Sequence, residues 1–395
     1  MLSITEAWQA VLAHAPLLGN VRLPLPAALG RILRADAVTD ADSPPFDASA
    51  MDGYALRRSS IAAPLRVIGE AQAGKPFALP VGPGECVRIF TGAPVPPDVD
   101  CVVKQEEVTR EGDYIRVRRT DGPDFIRRRG ENRRVGDIIV PAGTRLGPPE
   151  LAALASIGLT QPEVVRAPRC AHLVTGNELV APEHSPIGAQ IRDSNSTLIA
   201  ALLRGHEAEL VAQAGVRDDL GSARAMAAAL PIHDILLVSG GASVGDHDIA
   251  RPLLESLGYT LHFSAVNLRP GKPLIFASRG NQLAFALPGN PVSHWVVFQL
   301  FIGPLLRHLQ TGRATAPEPI TGRLAAGCRL PSPDSRQTYW PCRATLRHGT
   351  YELSPLLLAS SGDSGGLVGA NALLPVPPPP ASLAAGQSLE FILCP

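Results

Sequence analysis

Between residues 170 and 309, short apolar runs alternate with helical stretches, and no other feature of the chain constrains its fold as much. Residues 170–174 have the continuous apolar character of a strand buried on both faces. A helix is expected at 195–204, a strand at 209–211, a helix at 220–230, a strand at 234–238 and a helix at 249–257. Strands at 273–276 and 283–286 then lead into a long helix at 291–309. Such alternation implies a parallel-rich sheet with helices on both faces.

Outside that block the texture differs. Residues 3–18 read as a helix, with Ser3 and Glu6 spaced as a capping box in which each satisfies a free amide of the other. From 21 to 146, short β segments such as PLRVIGEA and GECVRIF are punctuated by Gly and Pro, which suggests small β domains. Pro148, Pro149 and Glu150 open a helix that ends at Gly158. β segments return from about residue 317, and the proline run 377–380 reads as a stiff surface connector. The 39 prolines fix φ and remove donors, so many connections and few long helices are expected. One core rarely grows past roughly 250–300 residues, so a chain of 395 residues should hold two or more domains.

Charge narrows the function. With 36 basic and 36 acidic residues the formal net charge is zero, so the chain has no global field for nucleic acid. The six cysteines include no C-x-x-C pair and read as plain thiols in a reducing compartment. The start lacks the basic and apolar regions of a signal peptide. The longest apolar stretch, 295–306, is short of the roughly 20 residues that span a bilayer. A cytoplasmic protein with no membrane partner is the expectation.

The chemistry-bearing motifs sit at expected strand ends. Residues 236–248 run from a buried strand into Ser239-Gly240-Gly241, then Ser243, Asp246 and Asp248, before a helix. Glycines let backbone amides approach an anion, and ligands of open α/β sheets bind at such strand ends. Acids beside an anion site imply a bridging cation such as Mg2+. A second strand end carries Pro288-Gly289-Asn290-Pro291, and a tight turn places Arg269 and Lys272 around Pro270 and Gly271. A fourth, Thr175-Gly176-Asn177-Glu178, adds an acid. In the β region, Asp52-Gly53 is a turn signal. Arg127, Arg128 and Arg129 read either as a solvated charge run or, beside Gly130, as a phosphate contact.

Together these segments resemble the MoeA family of molybdopterin molybdenumtransferases, which includes the gephyrin C-terminal domain. The resemblance is carried by FDASAMDGYA (46–55), RIFTGAPVP (88–96), RRRGEN (127–132), TGNEL (175–179), VRDD (216–219), SGGASVGDHD (239–248), RPGKP (269–273) and LPGNPVS (287–293). These lie in the family's order over nearly the whole chain, and the likeness weakens in the last 80 residues or so. It implies a multidomain α/β plus β fold with four domains. These are a discontinuous N-terminal mixed domain (1–45 and 135–166), an inserted β domain (46–134), a MogA-like α/β domain (167–316) and a small C-terminal β domain (317–395). It also implies an elongated homodimer with its pocket between the α/β domain of one subunit and the β domain of the other. The implied reaction takes adenylylated molybdopterin and molybdate, uses Mg2+, releases AMP and leaves molybdenum on the dithiolene. Partners would be a MogA-like adenylyltransferase and downstream molybdenum cofactor enzymes.

By the same resemblance, Asp52, Thr91, Glu178, Asp218 and Asp248 match positions tied to activity. Substrate contacts are expected from Ser239, Gly240, Gly241, Ser243, Arg269, Gly271, Lys272, Pro288, Gly289, Asn290 and Pro291, and from Arg128 and Arg129. Metal ligands are expected among Glu178, Asp218, Asp246 and Asp248. The chain departs from the family pattern at Asn132 and Asn177, where acids are common, and at Arg269 and Ala265, where lysines are. Arg343 is the candidate for a C-terminal functional arginine. A non-catalytic pterin-binding or scaffolding role stays open beside the enzyme. A lone MogA-type adenylyltransferase is disfavoured by the extra 160 or so N-terminal residues.

Overall fold

The structure is a computed structural model that describes residues 1–241, 249–313, 318–328, 334–377 and 383–394. Ser243, Asp246 and Asp248 lie outside the described residues, as does most of the proline run 377–380. The chain divides into two compact units: Met1–Val21, Gly30–Ile32 and Val164–Pro395 form one, and Arg22–Leu29 with Leu33–Glu163 form the other.

The centre of the first unit is a six-stranded sheet. Its order is Glu209–Val216, Arg169–Thr175, Ile235–Ser239, Gln282–Leu287, Ile275–Arg279 and Thr260–Phe263. The first four strands are mutually parallel; Ile275–Arg279 runs antiparallel to both its neighbours, so Thr260–Phe263 runs with the first four. Alternate residues face opposite layers, as the period of 2 requires. Cys170, Ile235, Leu237, Phe285 and Leu287 pack with Ile199, Leu203 and the apolar residues of the long helix. Ala171, Leu173, Leu236, Val238 and Ala284 pack with Ala223, Ala250 and Leu253 on the other side. The expected helical layers on both faces are present. The long helix is not one regular α-helix. Pro291–Val297 and Gly303–Thr311 are α-helical, and Phe298–Ile302 between them is π-helical. The widened turn occurs where the His206 ring packs 5.3 Å from that of Phe298 and beside Gly303.

The N-terminal helix is shorter than expected, Ile4–Leu12. Its capping box is formed as read: Ser3 N donates to Glu6 Oε2 at 2.7 Å and Glu6 N to Ser3 Oγ at 3.2 Å. Ala7 and Val11 fix it to the core shared with the α/β sheet.

The C-terminal strands close a small barrel. Gln337–Arg347 pairs with Thr350–Pro355 on one edge and Ala372–Val376 on the other, and Ile320–Leu324 and Ser388–Leu393 complete the circuit. Closure removes the open edges that an isolated sheet would expose. Leu268–Arg269 adds to it beside Gln337 and Thr338, so the Arg269–Pro273 turn belongs to the barrel's margin as much as to the α/β sheet.

The second unit is built on a mixed six-stranded sheet, in the order Cys101–Lys104, Gly53–Leu56, Glu85–Ile89, Leu65–Ala71, Tyr114–Val117, Val108–Glu111. Both faces are apolar: Leu56, Leu65 and Ile115 lie in one cluster and Val87, Ile89 and Val102 in another. Gly53 has a packing reason. A Cβ there would lie 1.9 Å from the Val103 carbonyl oxygen, so only Gly lets the strands pair.

Candidate active site

The register of the parallel strands brings four carboxyl ends to one edge. Thr175 pairs with Val216, Val174 with Ser239, and Ser239 with Leu287. The turns that follow are therefore neighbours in space, and a cleft of about 720 Å3 opens among them. Glu178, Asp218, Ser239, Gly240, Gly241, Pro288, Gly289, Asn290 and Pro291, all expected from the sequence, line it, and Gly176 joins them.

Gly240 shows why the strand ends crowd. Its φ is +90°, and a Cβ would meet the Thr175 carbonyl oxygen at 2.4 Å. The Pro288–Pro291 turn and the residue after it are tied down by three hydrogen bonds, one with Asn195 and two with Ser361. Asn195 Nδ2 donates to the Gly289 oxygen at 2.7 Å, Asn290 Nδ2 to Ser361 Oγ at 2.7 Å, and Val292 N to the Ser361 oxygen at 3.1 Å. Ser361 precedes Gly362 and Ser364, which also line the cleft. This loop of the C-terminal segment was invisible to motif reading.

Neutral neighbours hold the acids in place. Asn177 N donates to Asp218 Oδ2 at 3.1 Å, and Asp218 N to Asn177 Oδ1 at 3.3 Å. Asp193, which sequence reasoning passed over, also lines the cleft, and its Oδ1 caps the following helix through Ser196 N at 3.0 Å. Among the described residues, two buried oxygens on the cleft wall lack a partner: Thr175 Oγ1 and Asn195 Oδ1. Such atoms are satisfied by a bound ligand or ordered water. Among the described residues no group of three or more His, Cys, Asp or Glu could hold a metal ion. Mg2+ is often held by only one or two carboxylates together with waters and substrate phosphates, and Glu178 and Asp218 fit that manner of binding.

Ser239 does not offer its hydroxyl to the cleft. Its side chain is 0% exposed and lies between two imidazoles, 2.7 Å from His172 Nε2 and 2.7 Å from His294 Nε2. Burial pushes the His172 pKa down to about 3 and that of His294 to about 4, so both rings are neutral at ordinary pH. Neither histidine sits in a recognisable motif; their only signal was a polar residue in an apolar run.

Other expected contacts lie elsewhere. Arg269 Nε is 3.6 Å from Asp334 Oδ2, and its guanidinium lies 6.0 Å from the Trp340 ring centroid. Gly271 is buried against Leu268 and Val297, and Lys272 is exposed; neither lines the cleft. Arg343 Nε reaches the Gly369 oxygen at 3.5 Å, also away from the cleft lining.

In the second unit, Asp52 Oδ1 accepts from both the amide and the hydroxyl of Thr91, each at 2.8 Å. The Thr91 amide, then its hydroxyl, hold the Asp52 carboxyl below its usual range. Arg128 pairs with Asp47 and Asp124 at 2.8 Å each, and Arg129 with Asp42 at 2.7 Å. Arg127 donates to Asn132 Oδ1 at 2.7 Å. These guanidiniums brace two loops of their own unit.

Three family models match in sequence order. MoeA N-terminal region (domain I and II) covers residues 2–158, probable molybdopterin binding domain 171–308, and MoeA C-terminal region (domain IV) 323–394. A molybdopterin molybdenumtransferase of Nostoc sp. is 34% identical over 384 residues, covering 93% of this chain and 87% of the relative. One from Haemophilus influenzae is 35% identical over 316 residues, 78% of each chain. Two structures of the molybdopterin biosynthesis MoeA protein of Pyrococcus horikoshii superpose at TM-scores of 0.84 and 0.76, with 28% and 26% identity. Both cover 100% of this chain, and 99% and 100% of their own. No helix among the described residues is long and apolar enough to cross a membrane. Sequence motifs, family models and the fold agree: the chain belongs to the MoeA family of molybdopterin molybdenumtransferases.

Proposed function

We propose that adenylylated molybdopterin and molybdate meet in the cleft at the carboxyl edge of the α/β sheet, where molybdenum enters the pterin dithiolene and AMP is released. As a MoeA-family member the protein is a transferase of molybdenum cofactor biosynthesis. The observation that carries the finer reading is convergence. Gly240, Gly241 and the Pro288–Pro291 turn share one cleft with Glu178, Asp218 and two buried oxygens that have no partner among the described residues. Close-approaching backbone suits phosphate oxygens, and carboxylates beside phosphates suit a shared cation.

Glu178 and Asp218 would hold Mg2+, and the sequence motif adds Asp246 and Asp248, outside the described residues, as further candidate ligands. When bound, the ion offsets the charge that develops as AMP leaves. The residues of this chain orient the substrate: Asn195 and Ser361 hold the Pro288–Pro291 turn, and Asn177 holds Asp218. Asp52 and Thr91 form an acid–hydroxyl pair that we read as the contribution of a second copy, so a homodimer is proposed with it. A MogA-like enzyme would supply the adenylylated pterin in the cytoplasm, and molybdenum enzymes would receive the product.

The test is AMP release by the full chain given adenylylated molybdopterin and Mg2+, with and without molybdate. Release that requires molybdate supports the reading. Tight binding of the pterin with no AMP release in any condition would place the protein among non-catalytic pterin-binding members.

A further inference from the structure

We propose that His172, Ser239 and His294 are positioning residues: a buried, one-directional hydrogen-bond chain that holds the Pro288–Pro291 turn beside the Ser239–Gly241 turn. The ligand class is an anionic phosphate group, so the proposal rests on the cleft reading above.

The direction of every bond can be worked out from the two ends. At one end, His294 Nδ1 lies 3.2 Å from the Asn290 carbonyl oxygen, which only accepts, so Nδ1 carries the hydrogen. His294 is buried and neutral, hence its Nε2 accepts, and the Ser239 hydroxyl must donate to it at 2.7 Å. Ser239 Oγ is then an acceptor towards His172 Nε2–H, also at 2.7 Å. At the other end, Gln213 Nε2 donates to the Ser196 oxygen at 2.9 Å, which fixes its carboxamide orientation. The same Nε2 faces His172 Nδ1 at 2.9 Å, so Nδ1 must accept. Both ends give the same answer: Gln213 to His172 to Ser239 to His294 to the Asn290 carbonyl. Every ring nitrogen is used once, and neither ring can gain a proton without setting a donor against a donor or displacing one.

The chain crosses four elements at the cleft: three strands and a helix. Gln213 and His172 are paired residues on adjacent strands, Ser239 ends the next strand, and His294 stands one turn into the helix that follows Pro291. The Asn290 oxygen also accepts from His294 N at 3.0 Å, so both the backbone and the ring of His294 grip the turn. The amides of Gly289 and Asn290 have no acceptor among the described residues and stay available to a ligand. A buried, fully satisfied polar network rigidifies what it connects. Because Ser239 Oγ is sealed off, any influence it has on a ligand must pass through the imidazoles.

The experiment compares wild-type full chain with Ser239→Ala and Ser239→Thr. It reads imidazole 15N spectra and the affinity for inorganic pyrophosphate in a fixed excess of Mg2+. Wild type should show His172 as the Nε2–H and His294 as the Nδ1–H tautomer. Ser239→Ala should lose that pattern and bind pyrophosphate about fivefold more weakly, as expected for one net hydrogen bond. Ser239→Thr keeps a hydroxyl and should recover both. Unchanged affinity in Ser239→Ala with an altered imidazole pattern overturns the positioning role alone. Failure of wild type to bind pyrophosphate overturns both this proposal and the cleft reading. Should Ser239→Ala melt below the assay temperature, Gln213→Leu takes its place at an exposed position. It removes the donor to His172 Nδ1 and should weaken binding in the same direction; no change there is equally fatal.

Discussion

Asn177 and Asp218 bind each other reciprocally across two strand ends: the amide of each donates to the side-chain oxygen of the other, at 3.1 and 3.3 Å. The position where the family commonly has an acid is thus filled by a residue that still holds the neighbouring carboxylate in place. Asn177→Asp keeps that acceptor and adds a charge beside Glu178 and Asp218. Cation affinity rises with ligand charge count. The variant should therefore reach half-maximal AMP release at a Mg2+ concentration about threefold or more below wild type, with an unchanged melting curve. A Mg2+ titration of both proteins checks it, and coincident curves would remove Asn177 from any account of the cation.

Gly240 is expected to tolerate nothing larger. Its φ of +90° disfavours L side chains, and a Cβ would press on the Thr175 carbonyl oxygen. Gly240→Ala should destabilise the unit that contains the α/β sheet by about 2–4 kcal/mol. Thermal unfolding would show this as a lowered transition, whereas Gly74→Ala, at a turn with open space around it, should cost only its backbone strain.

Acid should unfold the protein partly through its buried imidazoles. Burial lowers both His172 and His294, to about 3 and about 4 from an ordinary 6.5. A depressed folded pKa means the unfolded chain takes up protons first. The stability these rings contribute is complete above pH 6.5 and is lost progressively as pH falls from there towards 4 and 3. Urea midpoints measured from pH 7.5 to 4.5 should fall, and the fall should be shallower in a His294→Gln variant, which has one fewer buried titrating ring.

Asp52 is half-buried, and its carboxylate is bonded to Thr91 rather than packed in an apolar core. Asp52→Asn should leave the melting curve in place and lower AMP release by about tenfold or more, the scale at which a positioned acid contributes. Thr91→Val removes only the hydroxyl bond to Asp52 and should have a smaller effect in the same direction. Wild-type rates in both would take the pair out of the reaction.

Much of this molecule is readable from local pattern. The alternation from 170 to 309 announces the α/β sheet, and Gly and Pro at three strand ends mark the side on which the cleft opens. What escaped reading depends on long-range contacts. Ser239 looks like a ligand contact in a Gly-rich turn, yet two histidines 67 and 55 residues away claim its hydroxyl. The Arg127–Arg129 run reads as a solvated charge run or a phosphate contact, and local pattern does not show that Asp42, Asp47 and Asp124 pair with Arg128 and Arg129. The loop at Ser361 to Ser364 has no motif; it reaches the cleft because Asn290 binds it. The π-helical turn at Phe298–Ile302 follows a pattern that reads as plain α-helix.

The central claim is that the carboxyl-edge cleft carries the reaction, and the carboxylates of Glu178 and Asp218 test it most directly. Single-turnover AMP release from adenylylated molybdopterin, with molybdate and Mg2+ present, should be compared for wild type, Glu178→Gln and Asp218→Asn. All three should give the same circular dichroism spectrum and melting temperature. Wild type should release AMP in proportion to molybdenum bound. Each variant should fall by about a hundredfold or more, the scale of losing a group that stabilises charge in a transition state. Release at the wild-type rate by both variants would contradict the account and move the chemistry away from this cleft.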